Sequence, residues 1–218
     1  MKSVTERVKK TIDALKQNNF AAYYVDKKEE VCDVVKTLLA EGEKVACGGS
    51  VSLQQAKVID LLKSGKYVFL DRSVARNDQE KNDIMLQGLM CDTYFCSSNA
   101  VTVNGELYNV DGNSNRVASI LYGPKSVIMV VGINKIVDNI KQAEIRVKTI
   151  AAPLNTRRLN CNTYCAETGK CVSCNNHDSE IPGGCRGDGR ICCNYVISAR
   201  QRVKDRIKVI LVGEDLGY

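Results

Sequence analysis

The sequence predicts an α/β protein: a doubly wound, mostly parallel sheet carrying a C-terminal cysteine-rich, metal-binding excursion. Three observations predict it. Up to residue 153, short apolar runs alternate with amphipathic stretches of helical period, the pattern of strands joined by helical crossovers. Several of these runs are apolar throughout, as strands covered on both faces are. The composition then changes, because residues 160–195 hold seven of the eleven cysteines with glycines, asparagines and few aliphatic side chains. The organisation expected is an α/β domain over 1–153, a cysteine-rich segment over 154–206, and a strand within 207–218 that returns to the sheet.

The elements follow in order. Ser3-Val4-Thr5-Glu6 has the form of a capping box, and Val8, Ile12, Leu15 and Phe20 mark one face of the helix behind it. Ala21–Val25 reads as a buried strand, and residues 28–39 as a helix closed near Gly42. Lys44–Cys47 is the second strand. A helix over 53–62 stops at Gly65, and Tyr67–Leu70 is the third strand. Residues 78–89 form a weaker helix, followed by a strand at Thr93–Cys96. Residues 101–110 fold as a hairpin about Asn104-Gly105, since that dipeptide accepts the positive φ such turns need. Residues 115–121 form a short helix before Gly123-Pro124. Val127–Val131 is the most apolar strand, and a helix over 138–150 is expected to stop at Pro153. Ile207–Val212 closes the sheet.

No apolar run approaches the ~20 residues that span a bilayer, and the first residues lead into a charged amphipathic stretch without a signal-type apolar region. The expected location is the cytoplasm, with no membrane partner. In that reducing compartment clustered cysteines point to metal or redox chemistry rather than disulfides. The net charge of +6 gathers late in the chain, but with only Tyr164 and Tyr195 interleaved it does not make a nucleic-acid patch.

Within the cysteine segment the tightest element is Cys171-Val172-Ser173-Cys174, a turn that lets two thiolates converge on one metal. Cys165 lies before it and Cys192 after a glycine-rich loop. The metal ligands expected are therefore Cys165, Cys171, Cys174 and Cys192. A segment so poor in aliphatic residues needs another source of folding free energy, on the order of 10 kcal/mol where structural zinc supplies it. The surplus thiols Cys161, Cys185 and Cys193 and the lack of a second paired knuckle favour a four-iron iron–sulfur cluster, with zinc as the alternative. Cys32, Cys47, Cys91 and Cys96 sit at strand and helix positions and read as small apolar residues. His177, the only histidine, reads as a solvated loop side chain, and a histidine-based triad is excluded.

Gly48-Gly49-Ser50 ends a strand and opens a helix, the place where parallel α/β sheets receive anions. It lacks the lysine of a P-loop and the fuller glycine pattern of a dinucleotide fingerprint. Ser98 and Asn99 follow a second strand, and Glu106, Asp111 and Asn115 follow closely. With the first loop these are the candidate ligand-binding residues for a small anionic metabolite.

Several motifs together resemble the lactate-utilisation (LUD) domain family, in its anaerobe-type subgroup. They are Cys47-Gly48-Gly49-Ser50-Val51-Ser52-Leu53; Ser98-Asn99-Ala100-Val101-Thr102 with Gly105-Glu106-Leu107; Gly112 with Asn115-Arg116-Val117-Ala118; Tyr122-Gly123-Pro124-Lys125; and Gly132-Ile133-Asn134-Lys135-Ile136-Val137. The likeness continues through Ala151–Asn155, Cys165–Cys174 and Arg190-Ile191-Cys192 to Gly213–Tyr218. It implies a fold similar to that of sugar-phosphate isomerases, CoA transferases and formyltetrahydrofolate cyclo-ligases, and a link to lactate oxidation beside partners that carry iron–sulfur clusters. The sequence departs from the family where Tyr164 replaces a proline and where the loop before Cys192 is extended, so Cys185, Cys192 and Cys193 compete as fourth ligand.

Two functions are therefore expected. One is a cluster-dependent enzyme or redox subunit acting on a small anionic metabolite such as a hydroxy acid. The other is a non-catalytic subunit, with structural zinc, that docks onto an oxidoreductase. Homo-oligomers are compatible with either.

Overall fold

The computed structural model describes residues 4–175 and 180–218. Ser3 and His177 lie outside the described residues. The first helix, α1 (Glu6–Gln17), is capped by Thr5, whose hydroxyl accepts from Val8 N, and it turns Val8, Thr11 and Leu15 inward. The first strand, β1 (Ala21–Val25), follows. A single 3-10 turn and α2 (Val31–Leu38) lead into β2 (Lys44–Cys47).

The helix expected over 53–62 is two helices, α3 (Val51–Gln55) and α4 (Val58–Leu62). Lys57 between them is left-handed at φ 59°, which breaks the hydrogen-bond run. β3 (Val68–Leu70), α5 (Asp78–Gly88), β4 (Thr93–Cys96) and the hairpin β5 (Ala100–Thr102) and β6 (Leu107–Asp111) come next. Gly105 takes φ 79° at the hairpin tip, packed on the backbone of Ala14 and Leu15 where any Cβ would collide. Then come α6 (Asn115–Leu121), β7 (Ser126–Gly132), the short β8 (Ile136–Val137) and α7 (Ile140–Arg146).

Pro153 does not stop the chain. A π-helical turn over Val147–Ala151 runs on into α8 (Ala152–Arg158), with the proline in its first turn. The carbonyl that its missing N–H would have served in the wide π turn, Lys148 O, accepts from Cys171 N at 2.8 Å instead. The segment beyond holds α9 (Tyr164–Thr168) and a 3-10 turn over Val172–Asn175. It ends in a strand that the composition concealed, β9 (Asn194–Ser198), before β10 (Ile207–Val212).

Six strands form one all-parallel sheet in the order β1-β10-β7-β4-β2-β3. Both faces are covered. Along β7, Val127, Met129 and Val131 pack with α1 residues Val8 and Leu15, while Ile128 and Val130 pack with Val31, Leu53 and Leu62. Each such side chain contributes ~1.5–3 kcal/mol of burial, which is why the central strands are apolar throughout. The remaining strands make a second sheet, β8-β5-β6-β9, that pairs the end of the cysteine segment with the hairpin.

The sheet order places a switch point between β2 and β4: from β2 the chain steps outward to β3, then returns past β2 to β4 and continues away from it. Crevices at such points receive ligands in open α/β sheets.

Candidate functional site

At the switch point the turn after β2 is pinned to β4 by Gly48 N donating to Phe95 O at 2.8 Å. Ser50 caps α3, its hydroxyl accepting from Leu53 N. Neither Gly48 nor Gly49 needs a positive φ, so the turn itself does not demand glycine. What the glycines leave is room. A Cβ on Gly48 would press on Arg116 Cδ and the Tyr94 hydroxyl, both at 3.2 Å, and one on Gly49 would stand 2.9 Å from an Arg72 guanidinium nitrogen and 3.7 Å from one of Arg158. The guanidinium groups of Arg72 and Arg158, from different elements, thus stand at Gly49, while the aliphatic stem of Arg116 covers Gly48.

The structure brings further cations to the same strand ends. Arg116, on α6, donates to Ser97 O, Asn109 Oδ1, Asn99 Oδ1 and Val110 O, and its Nε lies 3.4 Å from Asp111. Arg146 is buried and donates to Asn134 O and Asn99 O; burial lowers its pKa to about 10. Lys135, just past β7, is 3% exposed. Its Nζ lies 2.9 Å from Ser52 Oγ and 3.1 Å from Ser97 Oγ. Among the described residues no carboxylate forms an ion pair with it. Burial, with Arg146 and Arg116 nearby, lowers its pKa to about 7.

The chain after β10 crosses this crest. Leu216 is buried, its N donating to Asn134 Oδ1, and Asn134 Nδ2 donates to Gly217 O. Gly217 N donates to Gln55 Oε1 at 2.7 Å, and Arg158 Nε to the Tyr218 hydroxyl at 2.7 Å. The tail lies on Lys135 so closely that a Cβ at Gly217 would sit 3.4 Å from its Nζ.

The candidate ligand residues divide. Gly48, Gly49 and Ser50 form the crest. Asn99 faces it indirectly, since its Oδ1 accepts from both Val110 N and Arg116. Asn115 lines a small cavity beneath the crest with Cys47, Arg72 and Tyr94. Ser98 is turned away and donates to Ala100 O and Tyr108 O. Glu106 sits in the hairpin, accepting from Thr102, beside α1 rather than at the crest. Asp111 pairs with Arg116 and accepts from Val117 N, and its carbonyl accepts from Cys193 N, so it ties the crest to the cysteine segment. Sequence reasoning missed Arg72, Lys135, Arg146 and Arg158 as site residues. Only Lys135 carried a signal, a lysine directly beyond the carboxyl end of the most apolar strand.

The cysteine segment is organised differently. Arg190 holds its loop by donating to Cys192 O, Cys185 O and Pro182 O. Cys165 is buried, 3.6 Å and 3.5 Å from the hydroxyls of Thr156 and Thr163, and the Ser173 hydroxyl donates to Cys171 Sγ. Burial and the neighbouring thiols of Cys165 and Cys171 push the Cys192 thiol up to about 12, and raise that of Cys185 as well. Cys165, Cys171, Cys185 and Cys192 therefore share one region, while Cys174 and Cys193 are exposed. Among the described residues no three cysteine, histidine, aspartate or glutamate side chains stand arranged around a common metal position. The donor set nonetheless fits a thiolate-bound centre in kind: soft ligands, with hydroxyls directed at two of the sulfurs. Of the four cysteines first expected as ligands, Cys165, Cys171 and Cys192 lie in this region with Cys185 beside them, and Cys174 is in the 3-10 turn behind Cys171, its N donating to Cys171 O.

An all-parallel sheet covered on both faces, with a cation-rich crest at its switch point, defines a protein of the doubly wound α/β class. The chain belongs to the LUD domain family, which it matches over residues 8–212. It is similar in fold to a DUF162 family protein from Deinococcus radiodurans, whose crystal structure superposes with a TM-score of 0.51 at 14% identity, covering 95% of this chain and 96% of that one. No curated protein matches the chain. No helix among the described residues is long and apolar enough to cross a membrane.

Proposed function

We propose that the chain binds a small anionic metabolite, a hydroxy acid, at the strand-end crest, and that its cysteine segment holds an iron–sulfur cluster serving the redox metabolism of that ligand. The observation that carries the first part is the convergence of the Arg72 and Arg158 guanidinium groups on the bare backbone at Gly49. Positive groups in a crevice with low-dielectric walls concentrate anions, and a guanidinium accepts a carboxylate through two parallel hydrogen bonds. Membership of a lactate-utilisation family agrees with a hydroxy acid. For the second part the support is compositional and local: thiols gathered in a segment without a core of its own. Cys165, Cys171 and Cys192, with Cys174 or Cys185 as the fourth ligand, would hold the cluster, which when bound supplies one-electron transfer.

Two measurements test the reading. Anaerobically purified protein is expected to be brown, with iron, acid-labile sulfide and broad absorption near ~400 nm. A colourless protein with one equivalent of zinc would instead support the structural-subunit alternative. Lactate is expected to raise the melting temperature, and Arg158→Ala to weaken its binding about tenfold, the size of one lost charge-assisted hydrogen bond. Equal affinity in that variant would remove Arg158 from the site.

A further inference from the structure

Lys135 is not needed to explain the fold, and the arginines suffice to hold a carboxylate. Its setting is nonetheless unusual. A buried ammonium normally stands against a carboxylate. Here Lys135 Nζ has two serine hydroxyls, Ser52 at 2.9 Å and Ser97 at 3.1 Å, and no ion pair among the described residues. The charged groups facing it are themselves cations, Arg146 from α7 and Arg116 from α6, while Cys96 from β4 is a buried thiol whose pKa is pushed up to about 12. Desolvation and adjacent positive charge are the two means by which proteins make a lysine neutral and nucleophilic.

The place matters as much as the group. Ser52 belongs to the same turn and helix start as Gly48-Gly49-Ser50, and Ser97 follows β4, so the amine stands inside the switch-point crevice. It is covered by Gly217, which is held by Asn134, by Gln55 and, through Tyr218, by Arg158. Arg158 is also one of the guanidinium groups at Gly49. A carboxylate that engages Arg158 competes with the Tyr218 hydroxyl for it, and so loosens the strap over the amine.

We propose that Lys135 is a reactive amine that forms an imine with the carbonyl carbon of a 2-oxo acid whose carboxylate is held by the arginines of the crest. This rests on the anion site proposed above and names the oxidised partner of its hydroxy acid. The step balances: the nitrogen lone pair attacks the carbonyl carbon, the two amine protons leave with the carbonyl oxygen as water, and nothing is oxidised or reduced. The serine hydroxyls next to Nζ are placed to pass those protons.

Trapping tests it directly. The full-length protein is incubated with pyruvate and sodium borohydride, which reduces the imine to a stable secondary amine, and is then digested and mapped by mass spectrometry. Labelling at Lys135 is expected about tenfold above that of exposed lysines such as Lys10 and Lys27, as a desolvated amine beside cations requires. Lactate, without a carbonyl, is expected to give no adduct. Lys135→Arg is expected to lose the adduct while pyruvate still raises the melting temperature. Gly217→Val, whose side chain would press on Ser52 and Lys135, is expected to lift the strap and speed labelling. Labelling spread evenly over surface lysines, with pyruvate still stabilising the protein, would overturn the imine and leave the anion site standing. Absence of both labelling and stabilisation would overturn the two together.

Discussion

The crest at the strand ends and the cysteine segment are built in opposite ways. At the crest Arg116, Arg146 and Lys135 are held in place by the fold around them. Arg116, on α6, is fixed by four hydrogen bonds to groups at the strand ends, Arg146 by two carbonyls, and Lys135 by two serine hydroxyls. The cysteine segment is held by Arg190 spanning three loop carbonyls, by Arg157 on Ala166 O and Glu167 O, by single backbone links to Lys148 and Asp111, and by a few side-chain hydroxyls. A preorganised site can wait for its ligand without unfolding, and its interactions reorganise little when the ligand arrives. A segment with few buried apolar contacts opens locally at low free energy unless something it binds closes it. The difference teaches that the two halves should respond differently when their partners are removed.

The largest effect is expected from the proposed metal centre. Stripping iron anaerobically with a chelator, or Cys171→Ser, is expected to release residues 160–193 to rapid amide hydrogen exchange. In structural zinc sites the corresponding binding free energy is on the order of 10 kcal/mol. The amides of β10, central in the sheet, are expected to stay protected. Unchanged exchange across the segment after metal removal would break the comparison, for the cysteine segment would then hold itself together as the crest does.

That contrast also explains what could be read in the sequence. Strands such as Thr93–Cys96 and Ile207–Val212 were legible to the residue because a doubly covered parallel strand must be apolar on both faces. The helix through Pro153 was not, because proline is tolerated in a first helical turn and only the preceding π turn reveals that the chain has entered one. Strand β9 hid for another reason. Asn194–Ser198 is an edge strand, and pairing with β6 rather than its own apolarity makes it a strand. At the candidate site the glycines were legible, since a strand-to-helix turn is a local pattern. Arg116 apart, which follows Asn115 in the chain, the arginines were not. Arg72, Arg116 and Arg158 are 86 positions apart at the extremes, and only the sheet order brings them to one loop. Glu106 was placed with the ligand loops by its nearness in sequence, whereas the hairpin carries it to the far side beside α1.

A smaller effect is expected from Lys135, and pH sharpens it. Burial and cationic neighbours lower its pKa to about 7 in the fold, against ~10.4 in an unfolded chain. Below about pH 7 both states are protonated and the fold bears the full penalty of a buried charge. As pH rises from there the folded lysine is neutral while the unfolded one still binds a proton, so the penalty shrinks and vanishes near the ordinary lysine value. Lys135→Met is therefore expected to stabilise the protein by on the order of 2 kcal/mol at acid pH. The gain is expected to fall toward zero at alkaline pH, read by urea denaturation at both ends. A gain that does not change with pH would mean that methionine simply packs better, and that the crest holds its lysine without strain.

The smallest effect, and the one that separates a site from a turn, is at Gly49. A glycine there has two explanations: backbone freedom for a strand-to-helix turn, or open space for a ligand. Gly49 does not occupy the left-handed region, so an L residue meets no backbone strain. A Cβ would meet no backbone atom nearby, only the guanidinium tips of Arg72 and Arg158. Gly132 shows what a structural glycine looks like, for a Cβ there would stand 2.4 Å from Leu216 N and 2.7 Å from Glu214 O. Gly49→Val is thus expected to leave the melting temperature nearly unchanged, since arginine tips yield easily and a surface change is usually within about 0.5 kcal/mol. It fills the place where an anion would approach the loop and displaces two guanidinium groups from it. Affinity for lactate, pyruvate or a phosphate ester is expected to fall about tenfold, or roughly 1.4 kcal/mol. Calorimetric titration and a thermal scan on the same variant read the two quantities separately. A lowered melting temperature with unchanged affinity would make the crest a turn, its arginines a solvated cluster, and the contrast with the cysteine segment one of packing alone.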